Sequence, residues 1–182
     1  MGFHWKWDFT WEILPRLLEA TLNTLIAAGA GYAIAIVLGL VLALAQRTPY
    51  RALTFVVREF VEFIRSTPLI LQIFFVFYVG PQFGVRMSPW TSGMIAIGLH
   101  YSAYLSEVYR GGLNSVGKGQ WEACTALNMS TRQAYTRIII PQAVPPALAG
   151  MGNYLVGIFK DTPMLSVIGV AELMHTANAI GS

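Results

Sequence analysis

Residues 117–142 read GKGQWEACTALNMSTRQAYTRIIIPQ, a run of polar, helix-forming residues inside a chain that is 55% hydrophobic and only 12% charged. Gly119 to Leu127 reads as a short amphipathic helix, with Trp121, Cys124 and Leu127 roughly on one side and Glu122 and Thr125 on another. Asn128 suits its end, because after glycine it best tolerates the left-handed backbone of a helix C-cap. Ser130 followed by Gln133 has the capping-box spacing that starts a second helix. The predicted product is helix, sharp turn, helix, standing clear of whatever the flanking sequence is dissolved in.

That solvent is lipid. Ala20 to Gln46, Ser66 to Val85, Met87 to Ser106 and Ile138 to Phe159 contain no charge, and each reaches the roughly 20 residues a helix needs to cross about 30 Å of hydrocarbon. A soluble helical core would have to hide four such segments with almost no polar faces to cover them. The sequence therefore predicts an all-α integral membrane protein, a polytopic helical bundle forming a single transmembrane domain over residues 1–182. Its spans fall at roughly 17–46, 54–80, 88–112 and 132–162, with the polar loop at 117–131 between the last two. The N-terminus, MGFHWKWDFTWEILPR, lacks the apolar stretch and small-residue cleavage site of a signal peptide; Trp5, Trp7 and Trp11 suit an interfacial segment ahead of the first span.

Charge sets the orientation. Arg47 and Arg51 follow the first span, and Arg110, Lys118, Arg132 and Arg137 lie between the third and fourth, whereas the second-to-third connection carries only Arg86. The positive-inside rule then puts the N-terminus outside and the 117–131 loop in the cytoplasm. The single Cys124 allows no internal disulfide and fits the reducing side.

Three of the four spans have a feature of their own. In the first, Ala27, Gly31, Ala35, Gly39 and Ala43 recur every four residues and line one face, for packing within the chain or, alternatively, against another subunit. In the second, Arg58, Glu62 and Arg65 share a helix face beside Glu59; at membrane depth such charges should face protein or water and pair with one another, unless the helix foot simply stands in the cytoplasm. Pro68 is expected to bend that helix about one turn further on. The fourth carries Pro141, Pro145 and Pro146, then Lys160, Asp161, Thr162 and Pro163. A straight helix from Ile138 to Val170 would run about 50 Å, too long for one crossing, so a break is expected near Pro163. Lys160 and Asp161 point about 100° apart and cannot satisfy one another; the Glu62 and Arg65 group is a candidate partner.

The chemistry of an enzyme is missing. Gly112 to Gly119, GLNSVGKG, approaches a phosphate loop, but Gly119 stands where the magnesium-binding hydroxyl belongs and the segment follows a membrane helix, not a strand. No zinc spacing or nucleophile elbow occurs, and His4, His100 and His175 are scattered. His100 reads as a hydrogen-bonded bundle residue, with a proton relay as the alternative.

Against this background Glu122, Ala123 and Cys124, then Asn128, Ile138, Ile140 and Pro141, resemble the EAA loop of permease subunits of ATP-binding-cassette (ABC) importers. The family pattern has Glu, Ala, Ala, a Gly six residues after the Glu, then Ile, Leu and Pro; here Cys124 replaces the second Ala, Asn128 the Gly and Ile140 the Leu. EFIRSTPLILQIFF from Glu62 and FKDTPMLSVIG from Phe159 are similar to segments of the polar amino acid permease branch, ectoine-type permeases included. The resemblance implies a type I importer permease that is not itself an enzyme, binds no cofactor or nucleic acid, and moves a polar amino acid or similar zwitterion across the bacterial inner membrane. It implies as partners two ATPase subunits, a second permease subunit (self or paralogue) and an extracytoplasmic substrate-binding protein. Gly119, Trp121, Glu122, Ala123, Leu127 and Asn128 would form the coupling helix and its cap, with Glu122 the charged contact most exposed to the ATPase and Trp121 and Leu127 bedding the helix. Glu62, Arg65, Lys160, Asp161 and Thr162 would line the substrate pathway. The branch usually has five spans, so a fifth helix is expected after the visible four. The competing functional readings are an ion-coupled secondary transporter relaying protons through Asp161 and His100, and a membrane scaffold whose knob recruits a partner.

Overall fold

The computed structural model describes residues 7–181, all of whose regular structure is helical; Trp5 and His4 lie outside it. Helix α1 (Trp7–Ala45) is continuous for 39 residues and passes through Pro15. Trp7 and Trp11 therefore stand in the first turns of α1, continuous with the first span. The predicted small-residue stripe is its buried face: Ala27 and Ala35 are fully covered, and Gly31 and Gly39 are buried with them. The covering element is α4 (Pro89–Asn114). A Cβ added to Gly39 would stand 2.9 Å from the Ser102 carbonyl oxygen, and one on Gly31 2.7 Å from Ile97 Cγ2. Small residues here let two helix backbones touch, which settles the stripe as packing within the chain. The opposite face of α1 exposes Leu18, Leu22, Leu25, Val37 and Leu44, as a lipid-facing surface should.

The second predicted span is broken, not bent. Helix α2 (Arg51–Ser66) ends at Thr67, and the rod that follows, α3 (Leu69–Phe74) with its continuation to Phe83, departs at 106°. Proline forces this: its ring excludes helical backbone from the residue before it, and Thr67 is extended at φ −101°, ψ 130°. The break thus falls before Pro68, not a turn after it. Gln72 staples the corner, its Nε2 donating to the carbonyls of Ile64 (2.8 Å) and Thr67 (3.1 Å). Buried carbonyls freed by a broken helix need such a donor.

Helix α5 (Lys118–Ala126) and the short α6 (Thr131–Ala134) form the predicted knob. A π-turn leads from α6 into α7 (Ile140–Asp161), which contains Pro145 and Pro146 without interruption. At Thr162 the chain tightens into a 3₁₀-helix through Ile168, with Pro163 in its first turn, where a missing N–H breaks no bond. The expected break at Pro163 instead comes at Gly169, whose φ of +80° turns the chain into α8 (Leu173–Gly181) at 59°. Glu172 caps α8: its buried carboxylate accepts from the N–H groups of Met174 (2.9 Å) and His175 (2.6 Å), and Thr24 of α1 accepts from Leu173 N–H at 3.1 Å.

Among the described residues, α1 alone is a single helix long and apolar enough to cross a bilayer, and the two bent pairs raise that number to three. The reason the 26-residue α4 falls short in apolarity is its position. It is wrapped by α1, α7, α2 and α3, and its Ser92, His100, Ser102 and Ser106 are buried against protein.

Candidate functional site

Two regions carry the polar chemistry. The first is the knob. Its turn is a Schellman motif: Met129 N–H donates to the Cys124 carbonyl and Asn128 N–H to the Thr125 carbonyl, both at 3.0 Å. Asn128 has φ +50° and is the one non-glycine residue at positive φ among those described, so the predicted cap stands. The capping box is also present: Ser130 N–H donates to Gln133 Oε1 at 3.0 Å and Gln133 N–H to Ser130 Oγ at 3.3 Å. Cys124 is buried at 5%, and Trp121 lies half-buried edge-on to Tyr135, ring centroids 5.3 Å apart, over Val116, Ile139 and Ala143. Trp121 thus beds α5 onto its own chain. Leu127 does not, because the helix has ended at Ala126; as the cap residue at ψ 8° it leaves the buried side and stands 74% exposed. Gly119, Glu122 and Ala123 share the exposed surface with it.

The second region lies on the flank of α4 that meets α2 and α7, where Tyr101 is buried and Tyr104 half-buried. Tyr101 and Tyr104, one turn apart, meet Tyr154 of α7 with ring centroids 6.1 and 5.4 Å away. The Tyr101 hydroxyl donates to Asp161 Oδ2 at 2.6 Å. The guanidinium of Arg65 sits 5.4 Å from the Tyr104 ring centroid, and the Tyr104 hydroxyl donates to the Arg65 carbonyl at 3.1 Å. Glu62 pairs loosely with Arg65 at 3.5 Å and is 70% exposed.

Of the five sequence-predicted pathway residues, Glu62, Arg65 and Asp161 are brought to this flank. Lys160 is exposed, on a different azimuth of α7, and forms no ion pair among the described residues. Thr162 is 1% exposed with its hydroxyl donated to the Phe159 carbonyl, so it holds the start of the 3₁₀-helix. The expected partner of Asp161, the Glu62 and Arg65 group, is replaced by Tyr101. Arg58 forms no ion pair with Glu62. His100 is a bundle residue held by its rings, 5.4 and 5.1 Å from Tyr101 and Tyr104; its buried Nδ1 has no hydrogen-bond partner, contrary to expectation. Sequence reading passed over the three tyrosines, Gln72 and Glu172. The i, i+3 spacing of Tyr101 and Tyr104, and the i, i+7 spacing of Tyr154 and Asp161, were the available signals.

The apolar cleft of about 300 Å³ between α1, α4 and α7, walled by Leu40, Leu44, Tyr109, Val144 and Leu148, offers a charged solute almost nothing. The tyrosine flank offers both signs of charge.

The sequence pattern of the family described as "Binding-protein-dependent transport system inner membrane component" matches residues 35–181. The probable amino-acid ABC transporter permease protein y4tG of Sinorhizobium fredii is 42% identical over 99% of this chain and 80% of its own length. The L-cystine transport system permease protein TcyB of Bacillus subtilis is 36% identical over 100% and 78% respectively. Among solved structures, an amino acid ABC transporter crystallised with histidines superposes with TM-score 0.90 at 30% identity, over 98% of this chain and 83% of that one. The inward-facing MetNI methionine ABC transporter shares the fold, TM-score 0.70 at 16% identity.

Proposed function

This chain belongs to the family of binding-protein-dependent transport system inner membrane components, and from that membership we propose that it moves a polar, zwitterionic amino acid into the cytoplasm through a path on which Arg65, Glu62 and Asp161 stand. It is a membrane-embedded permease subunit of an amino-acid ABC importer, with the type I permease fold. The match across residues 35–181 carries this reading, because it takes in both the knob and the tyrosine flank.

The remaining parts follow from physical needs. A path that moves solute against a gradient needs an energy source, and ATPase subunits docking on α5 from the cytoplasm would supply it. Glu122 and Leu127 are the exposed contacts for such a partner, while Trp121 transmits force to Tyr135 and so to α7. Charged groups on the flank of one chain require a water-filled surface, since facing lipid would cost several kcal/mol; a second permease subunit closing over that flank would provide it. An extracytoplasmic binding protein would deliver the solute, with the N-terminus outside and the knob inside, in keeping with the Arg and Lys distribution.

Reconstitution with partner ATPase and binding proteins tests this reading. Solute-loaded binding protein is expected to stimulate ATP hydrolysis and drive uptake, and Glu122→Arg to abolish both while the subunit stays folded and inserted. Uptake that ignores ATP but collapses with the proton gradient would overturn it.

A further inference from the structure

Resting on the amino-acid reading above, we propose that Tyr101 and Tyr104 are positioning residues that fix which way round the solute lies: Tyr104 presents Arg65 to its carboxylate, and Tyr101 presents Asp161 to its ammonium.

Two oppositely charged groups reach one flank from different elements, Arg65 from α2 and Asp161 from the end of α7. If their role were to hold the fold, they would close on one another. Among the described residues they do not: the recorded ion pairs are Glu62–Arg65 and Glu107–Arg110. Each is instead clasped by a tyrosine, and the two tyrosines stand one turn apart on α4.

Tyr104 grips Arg65 at both ends. Its ring lies under the guanidinium and its hydroxyl takes the backbone carbonyl, so the side chain is fixed with donors left over. The one competitor is Glu62, exposed and at 3.5 Å. A carboxylate arriving with bidentate geometry displaces such a contact.

Asp161 is held differently. The Tyr101 hydroxyl occupies Oδ2 at 2.6 Å and leaves Oδ1 with no hydrogen bond among the described residues. A neutral hydroxyl does not cancel the charge, and the adjacent Lys160 points about 100° away. The carboxylate is oriented but not neutralised, which suits it to receive a cation. Tyr154, whose ring meets both tyrosines at centroid distances of 6.1 and 5.4 Å, backs the pair from α7.

The test uses the permease assembled with its ATPase partner in detergent, without binding protein. Equilibrium binding is measured for L-arginine, L-glutamine and L-cystine, each beside its decarboxylated amine and its Nα-acetyl derivative. Wild type is expected to prefer the intact amino acid over both. R65Q erases the preference over the amine and keeps that over the acetyl derivative; D161N does the reverse. Y101F, which removes one hydroxyl, weakens the second preference about tenfold, the scale of a lost hydrogen bond to a charged group. Y104L behaves as R65Q, and Y104F, which keeps the ring, restores most of the first preference. Variants that lower binding of all three forms equally, or leave the preferences unchanged, overturn the proposal. So does a wild type that binds the amine or acetyl form as tightly as the amino acid, whatever the variants do. If no probe binds, this proposal falls, and uptake by the reconstituted complex decides the permease reading separately.

Discussion

The knob and the tyrosine flank are both polar exceptions in an apolar protein, yet they are built in opposite ways. The bonds that shape the knob's turn join residues three to five apart, such as Cys124 with Met129 and Ser130 with Gln133. On the flank they join residues 39 and 60 apart, Arg65 with Tyr104 and Tyr101 with Asp161. A locally specified element can be displayed away from the bundle and still keep its shape, as a surface that docks on another protein must. A site assembled from distant segments holds its geometry only while the helices carrying it stay packed, so it is the part of the molecule that a movement of those helices would alter.

Substitutions can break or sharpen that contrast. The largest loss is expected where long-range packing itself is obstructed. Gly39→Val presses a branched side chain on the Ser102 backbone, and overpacking of this kind costs about 1–3 kcal/mol, sometimes more; thermal unfolding in detergent should show it, with the flank lost before the knob. Next comes Gln72→Leu, which orphans the Thr67 carbonyl and leaves the Ile64 carbonyl only the 3.4 Å contact from Thr67 N–H at the 106° corner. At about 1–3 kcal/mol for unsatisfied buried groups, it should lower the unfolding temperature and disturb solute binding through Arg65, which lies just before that corner.

Within the knob, Asn128→Val should cost about 1–2 kcal/mol, since a branched residue resists left-handed backbone, while Asn128→Gly should be neutral or slightly stabilising. Coupled ATP hydrolysis should follow the same order, Gly ≥ Asn > Val. Ser130→Ala removes a cap worth about 1 kcal/mol, and amide exchange should speed up in α6 alone. The smallest effect on stability belongs to Leu127→Ser, within about 0.5 kcal/mol at an exposed site. That variant sharpens the contrast best: an unchanged unfolding temperature with weakened binding of the ATPase subunit is expected, and normal binding would remove Leu127 from the docking surface.

The same division explains what reading the sequence achieved. The Asn128 cap and the Ser130–Gln133 box obey short-range stereochemistry and were legible residue by residue. Pro68 was recognised as a disturbance, but its size was not, because whether a helix bends or breaks depends on a donor such as Gln72 being within reach of the freed carbonyls. Pro163 was misjudged for a related reason: at the first turn of a new helix proline costs nothing, and only the following geometry placed that turn. Leu127 looked like a buried position on a helical wheel that stops one residue before it. Tyr101 and Tyr104 were in plain view, yet an aromatic on an apolar helix is packing until a charged neighbour is known to lie across from it.

The order of apolar runs, the stripe of small residues and the local turn chemistry determined by themselves that this chain is a helical membrane protein bearing a rigid polar knob, because those signals act within a few residues of one another. Which helix the stripe would meet, how sharply the second span would turn and which charges would share a face were decided by the tertiary structure. Those outcomes depend on the sum of contacts between segments up to about 150 residues apart, such as Thr24 with Leu173, and no window of sequence contains that sum.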